Sequence, residues 1–103
     1  MKESHIQKAI LDYLKLKGIL CFKHRNVGIY KKDTGKYIPL AYGEKGIADI
    51  LGCTPDGRFI ACEVKVPGKK PSPDQVVFLD KVKKQGGIAI LAYSLDDVMK
   101  VIS

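Results

Sequence analysis

Apolar residues recur at spacings of three and four near the start of the chain. Ile6, Ile10, Tyr13, Leu14 and Lys17 fall on one face of a 3.6-residue period, which predicts a helix over residues 4–17. Ser4 with Gln7 fits a capping box at its start, and Gly18 fits its stop. ILCFKHR, residues 19–25, reads as a strand. The Gly- and Lys-rich stretch NVGIYKKDTGKYIPLAYGEKG follows, with a short strand or hairpin expected around Tyr37–Ala41 and a mobile loop around Tyr42–Gly46. Residues 47–53 and 58–66 read as two strands joined by TPDG, a turn signal.

A second helix is predicted over 73–85. Ser72 suits its N-cap, Pro73 its first position and Asp74 the positive end of its dipole. Val76, Leu79 and Val82 with Phe78 form its apolar stripe, and Gly86-Gly87 ends it. GIAILAY, residues 87–93, reads as a fully buried strand. Ser94 then caps a short helix with Leu95, Val98, Met99 and Ile102 on its apolar face. The order α–β–(β)–β–β–α–β–α implies an α/β fold, a central mixed sheet flanked by helices. Residues 47–66 supply its antiparallel part, and strand 87–93, reached by a helical crossover, is placed parallel to 58–66.

With 103 residues, the expectation is one domain over 1–103. No apolar run approaches the roughly 18 residues of a membrane span. Lys8, Asp12, Lys15 and Lys17 interrupt the apolar positions at the N-terminus, so it does not read as a signal peptide, and a cytoplasmic protein is expected. Cys21, Cys53 and Cys62 are odd in number and form no CxxC pair; they read as reduced, buried thiols. Eighteen Lys and Arg against eleven acids give a net charge of +7, which favours a polyanion partner, nucleic acid before an anionic membrane surface.

The stretch GIADILGCTPDGRFIACEVKVPG places charges inside a strand-like apolar run. With the turn centred on Asp56, Asp49 lies seven residues before it and Glu63 seven after, so the two oppose each other on one face. Lys65 shares that face, while Cys62, Val64 and Val66 point the other way. Asp56 sits at the turn, roughly 23 Å along an extended strand from Glu63, and is turn chemistry. Opposed carboxylates repel, and a divalent cation would remove the conflict. Mg²⁺ favours one or two carboxylates, water and phosphate oxygens, and the Val64 carbonyl could add another oxygen. Lys65 could then orient a water or meet charge developing on a phosphate. The plainer alternative is a solvent-facing strand with a Glu–Lys ion pair and an incidental Asp. Glu3 extends the buried stripe of the first helix and could reach the same site; otherwise it is an acid favouring the helix dipole.

These residues resemble a family. Asp49…Glu63-Val64-Lys65 in an αβββαβ order is similar to the PD-(D/E)xK, restriction-endonuclease-like superfamily, and more narrowly to the VRR-NUC (virus-type replication-repair nuclease) domain. The narrower likeness rests on Glu3 with Ile6-Gln7, Leu14 and Gly18, then Gly46-Ile47-Ala48-Asp49-Ile50-Leu51. It continues through Glu63-Val64-Lys65 with Pro67, Ser72-Pro73-Asp74-Gln75, and the Gly-Gly before the last core strand. Ala48 stands where the family often has Pro, and Asn26–Tyr42 matches nothing firmly.

The resemblance implies a restriction-endonuclease-like αβββαβ core and a Mg²⁺- or Mn²⁺-dependent endonuclease acting on DNA. Asp49, Glu63, the Val64 carbonyl and Glu3 would serve the metal, Lys65 the attacking water, and Gln75 the positioning of that water or of Lys65. Gln75 also completes a capping box with Ser72. His5 and His24 are not needed as catalytic groups. Lys23, His24, Arg25, Lys31, Lys32, Lys36, Lys69 and Lys70 flank the site in sequence and suit phosphate contacts. Tyr30, Tyr37 and Tyr42, interleaved with them, could stack on unpaired bases. Branched DNA such as a four-way junction is the implied substrate, and a two-fold homodimer would cut it symmetrically. The alternatives are flap or nicking activity, an RNA-directed nuclease on the same fold, and a non-catalytic basic nucleic-acid-binding module.

Overall fold

The computed structural model describes residues 2–25, 29–38 and 43–103. Its elements are α1 (Glu3–Leu16), β1 (Leu20–Lys23), β2 (Ile29–Lys31), β3 (Lys36–Ile38), β4 (Ile50–Cys53), β5 (Phe59–Val64), α2 (Pro73–Lys84), β6 (Ile88–Ala92) and α3 (Leu95–Met99). Four strands form one sheet in the order β1-β4-β5-β6, and β2 and β3 form a separate two-stranded sheet. β1 and β5 run antiparallel to β4, and β6 runs parallel to β5, giving the mixed sheet that the element order implies. The helical crossover through α2 is what permits that parallel step.

β5 is covered on both sides. Ile60, Cys62 and Val64 join Ile50, Ile90 and Ala92 against Ile6, Ile10 and Leu14 of α1 and Val98 of α3. Each fully buried aliphatic side chain of that size contributes about 1.5–3 kcal/mol. The opposite face is thinner, with Ala61 and Ala48 packing against Val82, Phe78 and Leu79 of α2. The β4–β5 turn closes through Gly57 N–H to the Thr54 carbonyl and Thr54 N–H to the Arg58 carbonyl, both 2.9 Å. Thr54 Oγ1 also bonds Asp56, so Asp56 is occupied at the turn.

Several local expectations are corrected. α1 begins one residue before the predicted start, with Lys2 at the N-cap and no side-chain cap. Ser4 and Gln7 form no capping box, because Gln7 is drawn into the buried stripe with Ile6, Ile10 and Leu14. In the stretch expected to hold a short strand or hairpin around Tyr37–Ala41, β3 (Lys36–Ile38) pairs with β2, and residues 39–41 lie outside the described residues. Val76 does not join the α2 stripe and is 51 % exposed, since α2 rests on the sheet through Phe78, Leu79 and Val82. β6 is only half buried along much of its length because it is an edge strand. Ser94 stands at the α3 N-cap without a side-chain bond, and Met99 is exposed. Cys21 and Cys62 are buried thiols, while Cys53 is half-buried. Among the described residues, no helix is long and apolar enough to cross a membrane.

Candidate active site

The β4–β5 register pairs Ile50 with Cys62, and one further step along it sets Asp49 across from Glu63. The Asp49 carboxylate accepts the Val64 N–H at 2.9 Å, which pins it beside β5. On the other flank the His24 N–H donates to the Asp49 carbonyl at 2.7 Å, so the β1–β4 pairing runs one step past Lys23 and Ile50. Opposed residues share a sheet face, so His24, Asp49 and Glu63 make one row across three strands. Sequence reasoning missed that placement of His24, because β1 and β4 are far apart in the chain and nothing local signals their register.

Glu63 is 1 % exposed. Its Oε2 accepts the Gln75 Nε2–H at 3.1 Å and lies 3.6 Å from the Lys65 Nζ, whereas its Oε1 is buried with no hydrogen-bond partner. Gln75 uses both ends of its amide. Its Oε1 accepts the Ser72 N–H at 2.8 Å, and its N–H bonds the Ser72 hydroxyl at 3.2 Å, completing the capping box of α2. The cap therefore fixes the amide so that Nε2 is aimed at Glu63.

Gly46 is a second feature whose role the sequence left open. Its φ is +68°, and a Cβ there would sit 2.3 Å from the Asp74 carbonyl and 2.6 Å from the Gln75 nitrogen. The loop before β4 thus presses on the first turn of α2, next to the residue that reaches Glu63.

Burial is the main reason the Glu63 carboxyl is pushed up to about 8; the adjoining Asp49 carboxylate adds to it, Lys65 opposes it, and the charge of Glu3 adds a little. Behind it, burial pushes the Cys62 thiol up to about 12, with the Asp49 and Glu63 charges reinforcing the effect, so this cysteine is inert. Glu3 influences Glu63 through space, but among the described residues no three His, Cys, Asp or Glu side chains form a group able to hold an ion. The donors that do converge fit a small hard cation. They are two carboxylates, one with an orphaned buried oxygen, and an ion of this kind takes one or two carboxylates and keeps waters.

Of the predicted phosphate contacts, Lys23 and Arg25 are exposed and His24 half-buried at the end of β1, next to the carboxylate row. Lys69 and Lys70 are exposed in the loop after Lys65, where the Tyr93 hydroxyl donates to the Lys69 carbonyl at 3.0 Å. Lys32 and Lys36 are exposed on the separate hairpin, on which Lys31 pairs with Lys36 and Tyr30 with Tyr37. Tyr42 lies outside the described residues.

A mixed sheet between helices, with an Asp facing a Glu-x-Lys strand, defines a restriction-endonuclease-like domain. No family profile and no curated protein matches the chain. A solved structure described as a VRR_NUC domain is similar over 97 % of this chain and 92 % of its own length, with a TM-score of 0.66 and 25 % identity. The chain has the fold of a VRR-NUC domain, as the sequence motifs implied.

Proposed function

We propose that the protein is a Mg²⁺- or Mn²⁺-dependent DNA endonuclease, selective for branched DNA such as four-way junctions, acting in replication, recombination or repair. The observation that carries this reading is the buried Glu63 carboxyl. It is held by Gln75 and Lys65 against Asp49, with one oxygen left without a partner. A purely structural hairpin gains nothing from two opposed carboxylates in a desolvated row.

Asp49, Glu63 and the Val64 carbonyl would hold the cation, and Glu3, whose charge is felt at Glu63, would act through a water. When bound, the ion activates a water and offsets charge on the phosphate. Lys65 Nζ, 3.6 Å from Glu63 Oε2, would orient that water or meet the developing negative charge. Gln75 is a positioning residue; its amide steadies Glu63 while its backbone belongs to the α2 cap. Lys23, His24, Arg25, Lys69 and Lys70 supply sequence-independent phosphate contacts. Each chain contributes one such site, so symmetric cutting of two strands calls for a two-fold homodimer.

The test is incubation with linear, flap and four-way DNA and with matching RNA, with and without Mg²⁺ or Mn²⁺. Metal-dependent cleavage of branched DNA that disappears in Asp49→Ala, with binding retained, is the expected result. Metal-independent binding with no cleavage by the unaltered protein would replace this reading with that of a basic binding module.

A further inference from the structure

The row that holds Asp49 and Glu63 continues into an apolar surface on the same face of the sheet. The register pairs Phe22 with Leu51 and Leu51 with Ala61; it also pairs Leu20 with Cys53 and Cys53 with Phe59. Three parallel rows therefore cross the strands, His24–Asp49–Glu63, Phe22–Leu51–Ala61 and Leu20–Cys53–Phe59. α2 covers Ala61 and Leu51 through Phe78, Leu79 and Val82, while Phe59 stays 45 % exposed and Leu20 and Phe22 at the β1 end lie outside that cluster. Phe22 is 52 % exposed and Leu20 69 % exposed on this edge strand.

An exposed aromatic ring on an edge strand invites a partner. Phe22 is the diagonal cross-strand neighbour of Asp49, so their backbones are about 7–8 Å apart, within reach of a ring. The strand end that carries it also carries exposed Lys23 and Arg25. A second copy docking through this edge would bring Lys23 and Arg25 of both chains into one interface, which like charges oppose. Lys23 pairs with Ile50 and so points to the other face, whereas Phe22 lies on the face of His24 and Asp49, so a nucleic-acid strand engaged at the carboxylate row would meet the ring. In a paired duplex, however, base faces are already stacked and cannot cover the ring.

We infer that Phe22 is a stacking platform for an unpaired base beside the scissile phosphate. The substrate class is then nucleic acid with at least one unstacked nucleotide at the cut, as at a flap or a branch point. This rests on the nuclease reading and adds to it a residue and a local substrate structure. Arg25, exposed just past the end of β1, contacts the phosphate, and the ring takes the base that turns inward.

The experiment compares Phe22→Ala and Phe22→Trp with the unaltered protein on a flap and on the same flap carrying an abasic nucleotide at each unpaired position in turn. Phe22→Ala should lower cleavage of the intact flap by about 10- to 100-fold, the worth of one base–aromatic stack, and Phe22→Trp should preserve it. At one abasic position the unaltered protein and Phe22→Ala should become equal. A loss of the same size on every abasic substrate, or no loss at all, would overturn the platform. A fall in mass by light scattering for Phe22→Ala would do so too, by showing that a second copy covers the ring. Binding to a 2-aminopurine-labelled flap without metal separates the two readings. If nothing is cleaved, the nuclease reading fails; the platform still stands or falls on whether Phe22→Ala abolishes the fluorescence change on binding.

Discussion

The two faces of the central sheet are built from the same strands and do opposite work. On the α1 and α3 side, Ile50, Ile60, Cys62, Val64, Ile90 and Ala92 form a dry apolar layer sealed by Ile6, Ile10, Leu14 and Val98. On the α2 side, alanines and part of Phe78 and Leu79 do the packing, and one step along β5 the same face carries Glu63. Glu63 is as buried as its apolar neighbours, yet one of its oxygens has no partner. An orphaned buried acceptor lowers stability. One face thus supplies the stability that the other gives up in order to hold a charged row.

The largest effect that would sharpen this contrast is on cleavage. Lys65→Met should reduce the rate by about 10²- to 10⁴-fold, the range for one positioned group, with little change in a urea melt. A large loss of stability in that variant would instead make Lys65 a structural partner of Glu63. On the opposite face the signature reverses. Ile60→Ala should cost about 2–5 kcal/mol in the urea melt while the protein that remains folded cleaves normally.

Gly46→Ala tests how the polar face is braced. The new Cβ would meet the Asp74 and Gln75 backbone in a conformation an L residue disfavours, so a loss of about 1–3 kcal/mol is expected. Displacing the first turn of α2 should also loosen Gln75 from Glu63, so cleavage should fall as well. A stability loss with unaltered cleavage at low temperature would detach that loop from the site.

The least direct test is a pH dependence. The Glu63 carboxyl is raised from 4.5 to about 8 in the folded, metal-free protein. The folded state therefore keeps a proton that the unfolded chain releases. Its contribution to stability is complete below about pH 4.5 and is lost as pH rises through 8. Urea midpoints at pH 5 and pH 8.5 should show this decline, and Glu63→Gln should remove that part of the slope. On the proposed metal-site reading Mn²⁺ would compete with that proton, so its stabilising shift should grow over the same interval. Equal slopes in the two proteins would mean that Glu63 is already ionised when folded.

Much of the site was legible because the turn between β4 and β5 is tight. TPDG centres the hairpin on Asp56, and counting seven residues either way brings Asp49 to Glu63, as the register of β4 and β5 places them. The capping box at Ser72 was equally readable, since it is written in four consecutive residues. Gln7 is the opposite case. A Gln three residues after a Ser fits a cap by spacing, but the buried stripe of α1 takes its side chain instead.

By itself, then, the sequence determined the periodic elements, the β4–β5 register and the identity of the charged row, because each depends on residues close together along the chain. Only the tertiary structure decided that β1 lies beside β4, that His24 and Phe22 therefore flank the carboxylates, that Gly46 braces α2, and that Val76 is left outside. Those outcomes depend on where distant segments dock. Docking is settled by the total area the sheet and helices bury together, a quantity that no short window of residues contains.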